Sequence, residues 1–93
     1  MALNKTALQE EVIKYIIKTL KDKLSIDIDL DTNGGENFFS SNIGLSAKDM
    51  VYLLFLSEEY YNICFTEDEI DSLAFYTLYG LSSVIVKYIT NIE

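Results

Sequence analysis

The first apolar stripe of the chain recurs at helical spacing. Its members lie four residues apart and are Leu8, Val12, Ile16, Leu20 and Leu24. Thr6, followed three residues later by Gln9, has the pattern of a capping box, in which two side chains bond free amides at a helix start. These features predict a first amphipathic helix over about residues 6 to 24.

The next segment has a different pattern. Residues 25–31 alternate apolar and acidic side chains as a half-buried strand does, but no second alternating segment is present to pair with them. We therefore expect an extended loop. It continues through Asn33 and two glycines, and Phe38 and Phe39 are expected to anchor its end on the core.

A second helix is predicted from Ser46 to about Tyr61, because Ser46 lies three residues before Asp49 in the pattern of an N-cap. The run 50–56 within this helix is almost wholly apolar. Such a run is typical of a central bundle helix, or of a helix that keeps part of its surface for a partner.

Two further helices complete the pattern. Residues 66–69 form another capping box and open a short helix, with Ile70 and Leu73 expected to face inward. A last helix follows Thr77, and its predicted buried residues are Leu81, Val84, Ile85, Tyr88 and Ile89. The chain is therefore predicted to be all-α, a four-helix bundle with a long first loop and a short third helix, formed as one domain over residues 1–93.

The composition of the chain argues against several kinds of partner and activity. The formal net charge is −8, which disfavours nucleic acid and anionic membranes as partners, because phosphate contacts need clustered basic side chains. Cys64 is the single cysteine, so an internal disulfide is excluded; a reducing cytoplasm is expected, and its neighbours Ile63 and Phe65 predict a packed side chain. The chain has no histidine and shows no catalytic constellation, so an enzyme is not predicted.

From Phe39 to Leu53 the sequence resembles the acyl carrier protein and peptidyl carrier protein family. That family's pattern is Phe, two variable residues, Asp-Leu-Gly, a small or apolar residue, Asp-Ser-Leu and then a helix, and here it reads Phe39-Ser-Ser-Asn-Ile-Gly-Leu-Ser-Ala-Lys48. Residues 58–62, Phe65 and residues 75–78 are similar to the family's acidic helix end and to the start of its final helix. The resemblance implies a carrier-type bundle, and the nearest members are carrier-related proteins of peptide maturation systems.

The departure from the family changes the expected function. The family's Asp-Ser-Leu supplies the serine that carries phosphopantetheine, whereas the corresponding residues here are Ser46, Ala47 and Lys48. A methyl group offers no nucleophile, so no phosphodiester can form at Ala47, and no cofactor is expected. One alternative is a functional acyl or peptidyl carrier modified at Ser46, one residue away.

A second alternative is a weakly calcium-responsive helical protein. Asp29, Asp31 and Asn33 match the first half of an EF-hand loop, but Ser40 stands where the bidentate glutamate is needed. A solvated acidic loop is the favoured interpretation, and no metal site is predicted.

The leading hypothesis is a non-catalytic interaction module. It docks onto a biosynthetic or peptide-maturation enzyme that offers a basic or apolar surface, and self-association stays open. The predicted docking face is formed by side chains at helical spacings of three and four, namely Lys48, Tyr52, Phe55 and Glu59. Val51 and Leu54 are expected to point toward the core.

Overall fold

Helices account for most of the chain in the computed structural model, which describes residues 5–71 and 76–90. Within those ranges there are five helices and no strand. The helices are α1 (Lys5–Leu24), α2 (Leu30–Asn33), α3 (Ala47–Tyr61), α4 (Glu67–Asp71) and α5 (Leu78–Thr90). The all-α prediction is confirmed. The structure adds a short fifth helix, because the four-residue α2 lies in the segment expected to be an irregular loop.

The core lies where α1 packs against α5 and α3. Val12, Ile16 and Leu20 of α1 are fully buried, as their four-residue spacing predicts. They form one cluster with Leu53 of α3 and with buried residues of α5, which are Leu78, Leu81, Ile85 and Val86. Val84, Tyr88 and Ile89 are only partly buried against this cluster. The contact side of each long helix is thus defined by its apolar stripe.

Local hydrogen bonds account for α2. The backbone NH groups of Thr32 and Asn33 donate to the Asp29 carbonyl, and the Asp29 NH donates to Asn33 Oδ1 over 2.9 Å. Asn33 and Asn42 each donate a side-chain hydrogen bond to Glu36. These two hydrogen bonds hold the pKa of Glu36 below its usual value, and the bond from Asn42 has the larger effect. The segment is therefore folded by its own polar side chains.

The end of this segment is fixed by Phe38. Its side chain is fully buried, its NH donates to the Tyr76 carbonyl and its carbonyl accepts from the Leu45 NH. Phe39 points the other way and is 43 % exposed, although its ring lies against that of Tyr76. Of the two predicted anchors, Phe38 is therefore confirmed and Phe39 only borders the core.

The short helix α4 begins as the capping pattern predicts. The Glu69 NH donates to Thr66 Oγ1 over 3.2 Å, and the Thr66 NH donates to Glu69 Oε1 over 3.0 Å. Tyr88 of α5 donates its hydroxyl to the same Glu69 carboxylate, which ties α4 to α5. Ile70 is 37 % exposed, so its predicted inward orientation is wrong: the five-residue α4 buries none of its side chains. Leu73 lies outside the described residues.

Candidate docking surface

The head of α3 is set by a capping box, as predicted. Ser46 Oγ accepts a hydrogen bond of 3.1 Å from the Asp49 NH, and the Ser46 NH donates to Asp49 Oδ2 over 3.3 Å. Gly44, two residues earlier, has a φ of 76°, a conformation that glycine adopts without strain. The chain thus turns sharply into α3, and Ser46 Oγ is engaged in holding the helix start.

Position 47, where the resembled family has its serine, offers no attachment point for phosphopantetheine. Ala47 is exposed at the first position of α3, but its methyl group provides no oxygen for a phosphodiester. The nearest hydroxyl, on Ser46, belongs to the cap. No chemistry of a prosthetic arm can therefore be assigned to position 47.

The four residues of the predicted docking face are all exposed on α3. Tyr52 is 40 % and Phe55 is 49 % exposed, with Lys48 toward the start of the helix and Glu59 toward its end. The opposite side of α3 carries its buried residues, which are Met50, Leu53, Leu54 and Ser57. The predicted face is therefore the solvent side of the helix.

The two residues that were predicted to point toward the core, Val51 and Leu54, differ in their exposure. Leu54 is buried as expected, but Val51 is 66 % exposed. The reason is that only one side of α3 is covered, the side of Met50, Leu53, Leu54 and Ser57, and Val51 lies outside it. Val51 therefore joins Tyr52 and Phe55, and we call these three residues the outer apolar face of α3.

Cys64 is exposed, so its predicted packing is wrong. Residues 63–66, after α3, belong to no helix, so the helical period does not set which side chains face the core. Phe65 is buried and takes the inward side, while its neighbour Cys64 points outward. The apolar neighbours of a residue are therefore a poor guide to its burial in such a segment.

The calcium candidates Asp29, Asp31 and Asn33 belong to the α2 segment. Asp29 Oδ2 accepts from Thr32 Oγ1, and both polar atoms of the Asn33 side chain are hydrogen-bonded within the segment. Within residues 5–71 and 76–90, no group of three or more acidic or cysteine side chains is placed to hold a metal ion.

A groove between α1 and α3 was not predicted from the sequence. It has a volume of about 630 Å³ and lies beside the stacked rings of Tyr15 and Tyr60, whose centroids are 4.1 Å apart. Tyr61 meets both rings edge-on, and burial together with its neighbours raises the pKa of Tyr61 to about 12. Tyr60 itself is 65 % exposed. The groove forms where α1 and α3, which are far apart in the sequence, meet in the folded chain. The spacing of residues within either helix does not predict it.

Comparisons with models of protein families, with curated proteins and with solved structures gave no match for this chain. Of the helices in the described ranges, none combines the length and the apolarity needed to cross a membrane.

Proposed function

We propose that this chain is a non-catalytic, acyl-carrier-like interaction module that docks onto a biosynthetic or peptide-maturation enzyme without phosphopantetheine. The observation that carries the proposal is the outer apolar face of α3, where Val51, Tyr52 and Phe55 are all exposed. Neighbouring exposed apolar side chains on one helix face are typical of a protein-binding surface. The carrier-type fold is proposed from the resemblance of residues 39–53, and the capped start of α3 supports it.

Charge favours a partner protein over a second copy of the chain. Two copies with a net charge of −8 each repel one another, whereas a partner with a basic surface is attracted. Lys48 and Glu59 lie 11 residues apart, about 16 Å along the helix axis, with the apolar face between them. A partner with an apolar patch, an acidic group facing Lys48 and a basic group facing Glu59 is complementary and can dock in one orientation.

The proposal predicts that truncating the outer apolar face weakens docking. Enzymes encoded beside this gene are titrated with the wild-type chain and with Tyr52→Ala and Phe55→Ala. Each substitution is expected to weaken binding by about 1 to 3 kcal/mol, because exposed aromatic rings supply much of a small interface's binding energy.

Tyr79→Ala is the matched control, since Tyr79 is 46 % exposed but lies on α5. It is expected to leave the affinity within about twofold of wild type. Equal affinities for wild type, Tyr52→Ala and Phe55→Ala would contradict docking through α3.

A functional carrier modified at Ser46 is the second candidate, because the Ser46 hydroxyl is exposed at the head of α3. After co-expression with a promiscuous phosphopantetheinyl transferase, we expect the intact mass of the chain to stay unchanged. The reason is that Ala47 has no hydroxyl and Ser46 serves as the helix cap. A mass increase equal to the phosphopantetheine arm, lost in Ser46→Asp, would establish the carrier instead; aspartate is also a favoured N-cap, so this variant should keep its helix start.

A further inference from the structure

Positive charge is concentrated in one stretch of this acidic chain. Residues 14–23 contain four lysines and one aspartate, which gives this stretch a net charge of +3. All other residues together carry a net charge of −11, and the two values sum to the −8 of the whole chain. The four lysines, Lys14, Lys18, Lys21 and Lys23, are exposed on the second half of α1. None of them forms an ion pair with a carboxylate among the residues that the structure describes. The stretch therefore presents four ammonium groups to solvent.

Three of these lysines line the groove between α1 and α3. Lys14, Lys18 and Lys23 lie on the α1 side, and Leu56 and Tyr60 lie on the α3 side. Tyr15 and the buried Thr19 also contribute to the lining. The α1 side of the groove thus presents three ammonium groups, and the α3 side presents an aliphatic and an aromatic side chain.

The spacing of both walls matches an extended peptide. Along α1, Lys18 is about 6 Å from Lys14 and about 7.5 Å from Lys23, at 1.5 Å per residue. Leu56 and Tyr60 are likewise about 6 Å apart along α3. Alternate side chains of an extended chain repeat about every 6.7 Å and point in opposite directions. Acidic side chains at alternate positions can therefore face the lysines, while the intervening side chains face Leu56 and Tyr60.

Two carboxylates limit the length of such a ligand. Glu11 and Asp22 also line the groove and reduce the net charge of its lining to +1, from three lysines and two acids. They lie 11 residues apart, about 16 Å along α1, which is the span of about five extended residues. A short acidic segment fits between them and faces Lys14 and Lys18, while Lys23 lies just beyond Asp22 at the end of the groove. A long polyanion would be repelled by the rest of the chain.

We propose that this groove binds a short extended segment of a partner protein in which acidic residues alternate with apolar ones. Nucleic acid and anionic membranes fit less well, because the local positive charge is small and the surrounding surface is strongly negative. This inference stands independently of docking through the outer apolar face of α3, since it uses α1 and a different side of α3.

A labelled peptide of alternating glutamate and valine is the probe, and its binding to the full chain is measured by fluorescence anisotropy. A peptide with glutamine in place of glutamate is the matched control. We expect Lys18→Glu to weaken binding of the acidic peptide by about five- to thirtyfold, from the loss and reversal of one exposed charge contact. Lys21→Glu makes the same charge change outside the groove lining. It is expected to weaken binding less than threefold, because a distant charge screened by salt has only a small effect on affinity.

Further measurements separate specific binding from general charge attraction. Phe55→Ala should bind the acidic peptide as wild type does, so failure of this inference is distinguishable from failure of docking through α3. Lys18→Gln should weaken binding with an unchanged melting temperature. Equal binding of the glutamine peptide, equal losses in Lys18→Glu and Lys21→Glu, or tighter binding to phosphatidylserine vesicles or single-stranded DNA would overturn the proposal.

Discussion

Gly34 shows how one residue can restrict packing although its backbone is ordinary. Its φ is −58°, in the right-handed region open to every residue. A Cβ built there would lie 2.6 Å from Tyr79 Cε2 and 2.7 Å from the Leu30 carbonyl oxygen. The Tyr79 NH also donates to the Gly34 carbonyl, so the ring and the loop are held together. Glycine is thus required by the close approach of α5.

Gly34→Ala is accordingly expected to lower the free energy of unfolding by about 1 to 3 kcal/mol, the usual cost of forcing an extra methyl group into a filled space. Gly35→Ala is the control, because no atom lies within 4 Å of a Cβ at that position. Chemical denaturation of both variants measures the difference. Equal stabilities for the two variants would show that the loop and Tyr79 move apart at little cost.

Single-residue exposure was predicted well only where one periodicity applied. Three buried positions of α1, Val12, Ile16 and Leu20, follow a four-residue repeat, and the repeat predicted them. The predictions for Val51 and Cys64 were wrong because both residues have apolar neighbours in the sequence. The sequence alone does not show which of those apolar residues another helix covers. Their exposure depends on the placement of α1 and α5, which is a property of the tertiary fold.

At the scale of elements, the starts of α3 and α4 were predicted correctly, whereas Thr6, the predicted cap of the first helix, lies within α1. The capping boxes at Ser46 and Thr66 involve residues only three apart, so short-range chemistry determines them. The helix α2 was missed because its four residues carry no apolar stripe and depend on side-chain bonds from Asn33 and Asp29. The groove between α1 and α3 was missed for a related reason: Tyr15 and Tyr60 are 45 residues apart and meet only in the folded chain.

At the scale of the molecule, two surfaces of opposite character lie on neighbouring sides of α3. One is the outer apolar face of Val51, Tyr52 and Phe55, and the other is the lysine-lined groove shared with α1. Both are proposed to bind protein, one through apolar rings and one through charge. A partner that uses both would hold the module in a defined orientation, because neither surface is symmetric.

Docking through α3 requires that Tyr52 and Phe55 be surface residues rather than part of the core. Equilibrium unfolding of Phe55→Ala, beside Leu53→Ala from the buried side of the same helix, tests it directly. We predict a loss below about 1 kcal/mol for Phe55→Ala and about 2 to 5 kcal/mol for Leu53→Ala, since only the second substitution leaves a cavity in the core. A loss of about 3 kcal/mol or more in Phe55→Ala would show that its ring belongs to the core and would contradict the docking surface.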